Sequence, residues 1–341
     1  MRKKSSIYMY EEKIDKSITM GVWLDFKYQP ELAWRKYFAK LKNAGIKEFF
    51  VNANVDQLKF LVNIAKDVEV NIHGWIWTLN RPYDKNVMKN KSWYSVNKNG
   101  DDCSEYRPYV DYYQWISPFS QGAREYVKTN ISKIASIEGI ASVHLDYVRY
   151  CDLYLPDNLQ EYYNLNQDHE MPEYDFGYHP KGRSRFKDEY GIDPIEIDDH
   201  ELALKWKQFR LDALSSLVQE LKVISQENNT KLSAAVFPYP KMSSEMVLQD
   251  WSNWDLDIVC PMNYHIFYNG DINWIGQSVS KGVKFKKPGS KYLSGMFVDW
   301  FDPKNLKKAI EESLNKGADG ICLFNSEYLN DNHLKVLSAF K

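Results

Sequence analysis

Cysteine is scarce in this chain and stands in no pattern. The four residues are Cys103, Cys151, Cys260 and Cys322, and no two form a C-x-x-C pair, which excludes a zinc ribbon or a thioredoxin-type redox site. Cys260 and Cys322 lie in apolar runs and read as buried thiols; Cys103 and Cys151 lie in loops, a pair that an oxidising compartment would join. An excess of one charge is also missing: 44 Lys+Arg face 46 Asp+Glu, a formal net charge of −2. No basic block interleaves with aromatics, so nucleic acid is not an expected partner. No apolar run approaches the length of a membrane span. The opening Met1-Arg2-Lys3-Lys4 carries the charge of a signal peptide, but Ser5 to Glu12 supply no apolar core, so no export signal is expected here. The glycine-rich phosphate turn of a dinucleotide fold is absent as well. After the first apolar run the chain reads Asp25-Phe26-Lys27-Tyr28-Gln29, and no cofactor is expected.

What the sequence does hold is a regular alternation. Short apolar runs occupy 18–25, 48–52, 68–77, 140–146, 231–237, 256–262, 292–298 and 320–324. Helical patterns follow them at 30–44, 55–65, 118–136, 201–228, 244–253, 274–283 and 303–316, with a short helix closing the chain. Gly45 and Gly317 stand where helices of this kind stop. Runs that are apolar throughout, not on alternate residues, belong to parallel strands covered on both faces. Eight strand–helix units over this length predict a (β/α)8 TIM barrel, expected over 18–341 behind an N-terminal extension, 1–17. The stretch 150–199, rich in proline, acids and tyrosine, reads as a loop excursion after the fourth strand, lying over the catalytic face.

Barrel active sites collect at the carboxyl ends of the strands. The runs end on Trp23 and Asp25; Asn52 and Asn54; Trp75 and Trp77, then Asn80 and Arg81; His144 and Asp146, then Tyr147 and Arg149; Phe237; Asn263 and Tyr264; Asp299 and Trp300; and Asn325 and Glu327. Polar and aromatic side chains thus gather at one end while the strand interiors stay apolar. The chain also has 24 Tyr, 16 Phe and 11 Trp, a supply of flat rings that suits a ligand with apolar faces edged by hydroxyls, as a sugar is.

Asp146 is the leading catalytic candidate. His144 and Asp146 are two apart on a strand and share a face. Asp146 reads either as a nucleophile or general base, or as one half of an ion pair with Arg149 that closes the strand end. The His-x-Asp spacing suits a metal too, but no second such pair exists. Glycoside hydrolysis uses two carboxylates, and Asp25 and Asp299 are the leading candidates for the second. Asn52, Trp75, Trp77, Asn80, Arg81, His144, Arg149, Asn263 and Tyr264 are the expected substrate contacts, the tryptophans as stacking platforms and the asparagines as hydroxyl partners. The main alternative is a barrel that binds glycan without cutting it.

Several segments carry a family resemblance. They are Gly21-Val22-Trp23, Asn80-Arg81-Pro82, Gln114-Trp115-Ile116-Ser117-Pro118, the stretch from Gly139 to Tyr150, Phe186-Lys187-Asp188-Glu189-Tyr190-Gly191-Ile192-Asp193-Pro194, Trp206 with Phe209-Arg210, Ser233-Ala234-Ala235-Val236-Phe237, Gln249-Asp250-Trp251, Pro261-Met262-Asn263-Tyr264 and Gly317-Ala318-Asp319-Gly320. In this order they resemble the glycosyl-hydrolase-like barrels grouped as family-10-like, which are distinct from the family-10 xylanases. The resemblance implies a (β/α)8 barrel and glycan hydrolysis, in bacteria and often outside the cytoplasm. It maps Asp146 to the acid of the fourth strand, and Arg149 and Tyr264 to neighbouring pocket positions. Cys151 departs from it, standing where the family commonly has proline.

Overall fold

The computed structural model describes residues 18–341, so the expected extension 1–17 lies outside the described residues. Strands β1 (Thr19–Asp25), β2 (Glu48–Asn52), β3 (Asn71–Trp77), β4 (Ser142–Asp146), β5 (Lys231–Val236), β6 (Ile258–Pro261), β7 (Lys291–Phe297) and β8 (Gly320–Phe324) are parallel and close on themselves in chain order. This is the (β/α)8 barrel expected from the apolar runs. The helices are α1 (Glu31–Asn43), α2 (Val55–Val68), α3 (Lys85–Met88), α4 (Gln121–Ala135), α5 (Asp157–Tyr162), α6 (Pro180–Tyr190), α7 (His200–Glu227), α8 (Pro240–Met246), α9 (Ile272–Gly282), α10 (Pro303–Asn315) and α11 (Asp331–Ser338). None of them is long and apolar enough to cross a membrane.

The two-residue period of each strand sorts its side chains into two cores. Val22, Phe49, Ile72, Val143, Leu232, Val259, Tyr292 and Ile321 point outward and pack under the helices. Trp23, Phe50, Trp75, Ala235, Cys260, Leu293 and Cys322 point inward and fill the barrel. Both faces are buried, which is why the runs are apolar throughout.

Local signals fix the helix starts. The Asn54 side chain accepts from the Gln57 amide at 3.0 Å and the Gln57 side chain answers to Asn54 at 2.9 Å, a capping box that opens α2. Asp199 and Asp302 cap α7 and α10 by accepting from the Leu202 and Asn305 amides, the latter with Pro303 at the first turn. The expected helix at 244–253 is corrected. The helix begins earlier, at Pro240, and stops at Met246; Leu248 turns left-handed (φ 47°), and only a short 3-10 turn follows, at Trp251–Asn253. The Gln249 side chain holds this bend, accepting from the Phe237 amide at 2.8 Å and donating to the Val148 carbonyl at 3.1 Å.

The excursion after β4 contains α5 and α6 and is anchored from beneath. Arg210 on α7 is buried and holds both oxygens of Asp175 at 2.8 Å. Phe186 and Tyr178 pack on Trp206 of the same helix. Asn158 on α5 donates to the Ile266 carbonyl at 2.8 Å, so the excursion reaches across to the loop after β6. Cys103 and Cys151 are both buried with free thiols and do not pair in this structure.

Candidate active site

The strand ends and the loops after β3 and β4 enclose a cavity of about 400 Å³. Trp23, Trp75, Trp77, Tyr147, Phe237, Tyr264, Phe297 and Phe324 line it from the barrel, and Tyr109, Tyr112, Tyr113 and Tyr163 line it from the loops. Its acids are Asp25, Asp146 and Asp152. A mostly apolar hollow with a few convergent polar groups is the usual form of a small-molecule site. A more open hollow of about 510 Å³ lies on the flank at Tyr154, Tyr239, Lys241, Glu245, Lys281 and Lys284; it includes no strand-end carboxylate. The candidate site is therefore the first.

Asp146 is the last residue of β4 and sits at the cavity floor, level with Trp77 on β3. Burial pushes its pKa up to about 6. Three contacts oppose that rise: the Tyr147 amide donates to Oδ1 at 2.7 Å, the Trp75 indole Nε1 donates to Oδ2 at 3.0 Å, and the Arg149 charge acts from farther off. Desolvation wins because the floor is walled with aromatic rings. Tyr147 holds its amide on Asp146 with φ at +48°, a left-handed conformation uncommon for a bulky side chain. Strain of this kind concentrates at functional sites. Its ring packs at a tilt against Trp77 at 4.6 Å and edge-on to Trp115 at 5.6 Å, contacts that hold the conformation in place. Burial and the Asp146 charge together raise the Tyr264 hydroxyl well above its ordinary range.

The alternative reading of Asp146, an ion pair with Arg149, is not what forms. Arg149 Nη1 donates to Asp152 at 3.1 Å and to the Tyr150 carbonyl at 2.9 Å, and the guanidinium lies over Trp115 at 4.8 Å and Phe237 at 5.2 Å. It leaves the strand line because those ring faces and a buried carboxylate sit on its other side. Asp152 was visible only as one loop acid among many.

The remaining expected site residues divide by location. Asp25 lines the cavity and accepts from Asn52 Nδ2 at 2.8 Å, which places Asn52 beside it. Trp75, Trp77, Arg149 and Tyr264 line the cavity. Asp299 does not: it is exposed in a 3-10 turn just beyond β7, whereas Phe297, two residues earlier, turns inward. His144 lies one layer below the cavity. Its Nε2 accepts from Trp23 Nε1 at 2.9 Å, and its Nδ1 meets Ser233 Oγ at 2.9 Å. Ser233 meets Ser142 at 2.8 Å, Ser142 meets His73 at 2.7 Å, and His73 meets Glu48 at 2.8 Å. Burial holds His144 well below its ordinary pKa, with His73 adding to the effect.

Asn80, Arg81 and Asn263 serve the scaffold. Asn80 accepts from the Gln114 amide at 2.9 Å. Arg81 donates to the Trp77 carbonyl at 2.7 Å and pairs with Asp84 at 3.0 Å. Asn263 falls on the outward parity of β6 and bonds Ser294 and Ser278 behind the barrel. The loop tyrosines were missed as individuals. Their signal was the density of rings between Tyr106 and Trp115, but no periodicity tells which of them turn inward.

No curated protein sequence matches the chain. Among solved structures it is similar to the glycoside hydrolase domain of PgaB (BpsB) from Bordetella bronchiseptica, at 13% identity and TM-score 0.69, covering 95% of this chain and 98% of that one. It is similar to the catalytic domain of β-amylase from Paenibacillus polymyxa, at 12% identity and TM-score 0.61, covering 95% and 97%. A β-galactosidase from the haloarchaeon Halorubrum lacusprofundi matches at 12% identity and TM-score 0.64, covering 95% of this chain and 57% of that one. These likenesses are of fold. The sequence itself goes further, because residues 10–290 match the family model described as "Putative glycosyl hydrolase domain", and the chain belongs to that family.

Proposed function

We propose that the protein hydrolyses the glycosidic bonds of an oligo- or polysaccharide, with Asp146 as the proton-transferring carboxyl. The observation that carries this is one carboxyl at the floor of a ring-lined cavity, pushed up to about 6 by burial. A carboxyl in that range is protonated for part of the time near neutrality and suits the general acid that protonates the leaving oxygen. This reverses the role expected from sequence, where Asp146 was nucleophile or base. Asp25 is the second carboxylate in this reading. It lines the same cavity, is oriented by Asn52, and serves the opposite face of the sugar. Asp152 is engaged by Arg149, and Asp299 lies outside the cavity.

Asp146→Asn keeps the shape and removes the proton. Turnover of a glycan falls about 10²- to 10⁴-fold, the usual contribution of a general acid. An aryl glycoside whose leaving group needs no protonation loses much less. An equal loss on both substrates would remove the acid role, and unchanged turnover would remove Asp146 altogether. The alternative, a barrel that binds glycan without cleaving it, is favoured by one observation: Asp25 is exposed at the cavity edge. Glycan binding by the unaltered protein with no sugar released would establish it.

A further inference from the structure

We propose that residues 154–170 form a cap that opens as one rigid body, and that substrate reaches Asp146 only when it lifts. This rests on the glycosidase reading for what passes beneath, not for the motion itself. Two covers share the cavity mouth. Tyr109, Val110, Tyr112 and Tyr113 come from the loop after β3, and Leu155, Pro156, Leu159 and Tyr163 from the excursion. The first cover is stitched down by its backbone. The Leu79 amide donates to the Tyr147 carbonyl at 3.2 Å, the Ile116 amide to the Leu79 carbonyl at 2.9 Å, and the Arg81 amide to the Gln114 carbonyl at 3.0 Å. The second cover is not. The chain is fixed before it at Leu153, whose amide donates to the Met246 carbonyl at 2.9 Å, and after it at Pro172, whose carbonyl accepts from the Lys98 amide at 3.1 Å. Among the described residues, no backbone group of 154–170 makes a backbone bond outside that segment.

The segment's bonds are turned inward instead. Gln160 and Gln167 are buried and lock its two ends together. Gln160 Nε2 donates to the Leu155 carbonyl at 2.7 Å and to the Gln167 carbonyl at 3.0 Å. Its Oε1 accepts from the Gln167 amide at 2.7 Å, and Gln167 Oε1 accepts from the Leu155 amide at 3.0 Å. A loop whose ends meet and whose own side chains fill its middle is an Ω-loop, a form that often carries function. Two side-chain bonds join it to the rest of the described residues. At its base Gln167 Nε2 donates to the Tyr109 hydroxyl at 2.9 Å, and Tyr109 donates in turn to the Asp152 carbonyl at 3.1 Å. At its tip Asn158 Nδ2 donates to the Ile266 carbonyl at 2.8 Å. The base bond sits where the chain enters and leaves, so it shifts little in a swing, whereas the tip bond must break. Asn158 is therefore the latch and the base the hinge. Lifting the loop whole gives up one exposed hydrogen bond and the packing of a few apolar side chains; unfolding it would also strip its buried amides, so the whole-body motion is the cheaper one.

Spin labels on Tyr162→Cys in the cap and Lys308→Cys on α10 read the motion directly; both sites are exposed, and the four native thiols are buried. Two separations are expected, a major closed one and a minor open one. Adding Asn158→Ala should raise the open-to-closed ratio about five-fold, the weight of one hydrogen bond. A single separation, the same with and without the latch, overturns the cap. Hydrogen exchange tells a rigid swing from unfolding: the Leu155 and Gln167 amides, bonded within the loop, should stay protected in Asn158→Ala, and their exposure overturns whole-body motion. Asn158→Cys with Ile266→Cys, bridged by a short bis-thiosulfonate reagent, then holds the cap shut. Polysaccharide turnover should be lost and should return when dithiothreitol cuts the bridge. Turnover that persists in the bridged protein overturns the cap as a gate and leaves the glycosidase reading standing. If the unaltered protein releases no sugar, that reading falls, and the label separations alone decide the cap.

Discussion

Trp75 was expected as a platform for sugar and has a second task. Its indole donates to Asp146, a bond that favours the anion. Trp75→Phe keeps the ring and removes the donor, so the Asp146 pKa rises. The acid form is lost as pH rises through that value, so the alkaline limb of kcat/KM should move to higher pH, by about one unit for one charged hydrogen bond. A limb that stays in place would show that Asp146 does not control it. Residue identity was legible where a side chain stood at a strand end with inward parity, as Asp25, Trp75, Trp77 and Asp146 do. It failed for Asn263 because a shift of one residue turns a side chain to the other face of the sheet. It failed for Arg149 because the partner that competes for it, Asp152, comes from a loop of no readable geometry.

At the scale of elements, the strands were legible because each is a continuous apolar run, and their order followed from alternation with helices. What was hidden is how closely the outer helices approach. Gly74 faces outward from β3, and a Cβ there would come within 2.4 Å of Ile134 and 3.1 Å of Leu58. Gly74→Val should lower stability in urea by about 1–3 kcal/mol as α2 and α4 are pushed away; no change in the midpoint would mean the helices yield freely. The excursion was legible only as an interruption, since its anchor joins Asp175 to Arg210 across 35 residues of sequence. Asp175→Ala leaves the Arg210 charge buried without its partner, at a cost of about 3–5 kcal/mol. Proteolytic cleavage should then appear first within residues 150–199, and a digestion pattern like that of the unaltered protein would refute the anchor.

For the whole molecule, the chemistry at the barrel floor opposes stability. The unfolded chain ionises Asp146 near its ordinary pKa of 3.8, whereas the folded one waits until about 6. Folding therefore loses nothing to this group in strong acid, loses steadily as pH rises between those values, and carries the full loss above them. Asp146→Asn escapes it. Its stability should match the parent's near pH 3 and exceed it by up to roughly 3 kcal/mol at pH 7, less whatever water in the cavity recovers. Urea midpoints at the two pH values check this, and a gap that does not widen with pH would contradict it. Beneath that floor, the row of bonds from Trp23 to Glu48 has a polarity. An indole can only donate, so His144 accepts at Nε2 and must carry its single proton on Nδ1. At the other end burial works to raise the Glu48 pKa, but His73, Asn71 and Lys291 together hold it below the ordinary value, and a carboxylate can only accept. His73 Nε2 therefore carries a proton toward Glu48. The row thus has a group that can only donate at its top and one that can only accept at its foot, and the tryptophan under the cavity itself settles which nitrogen of His144 is left to hold it.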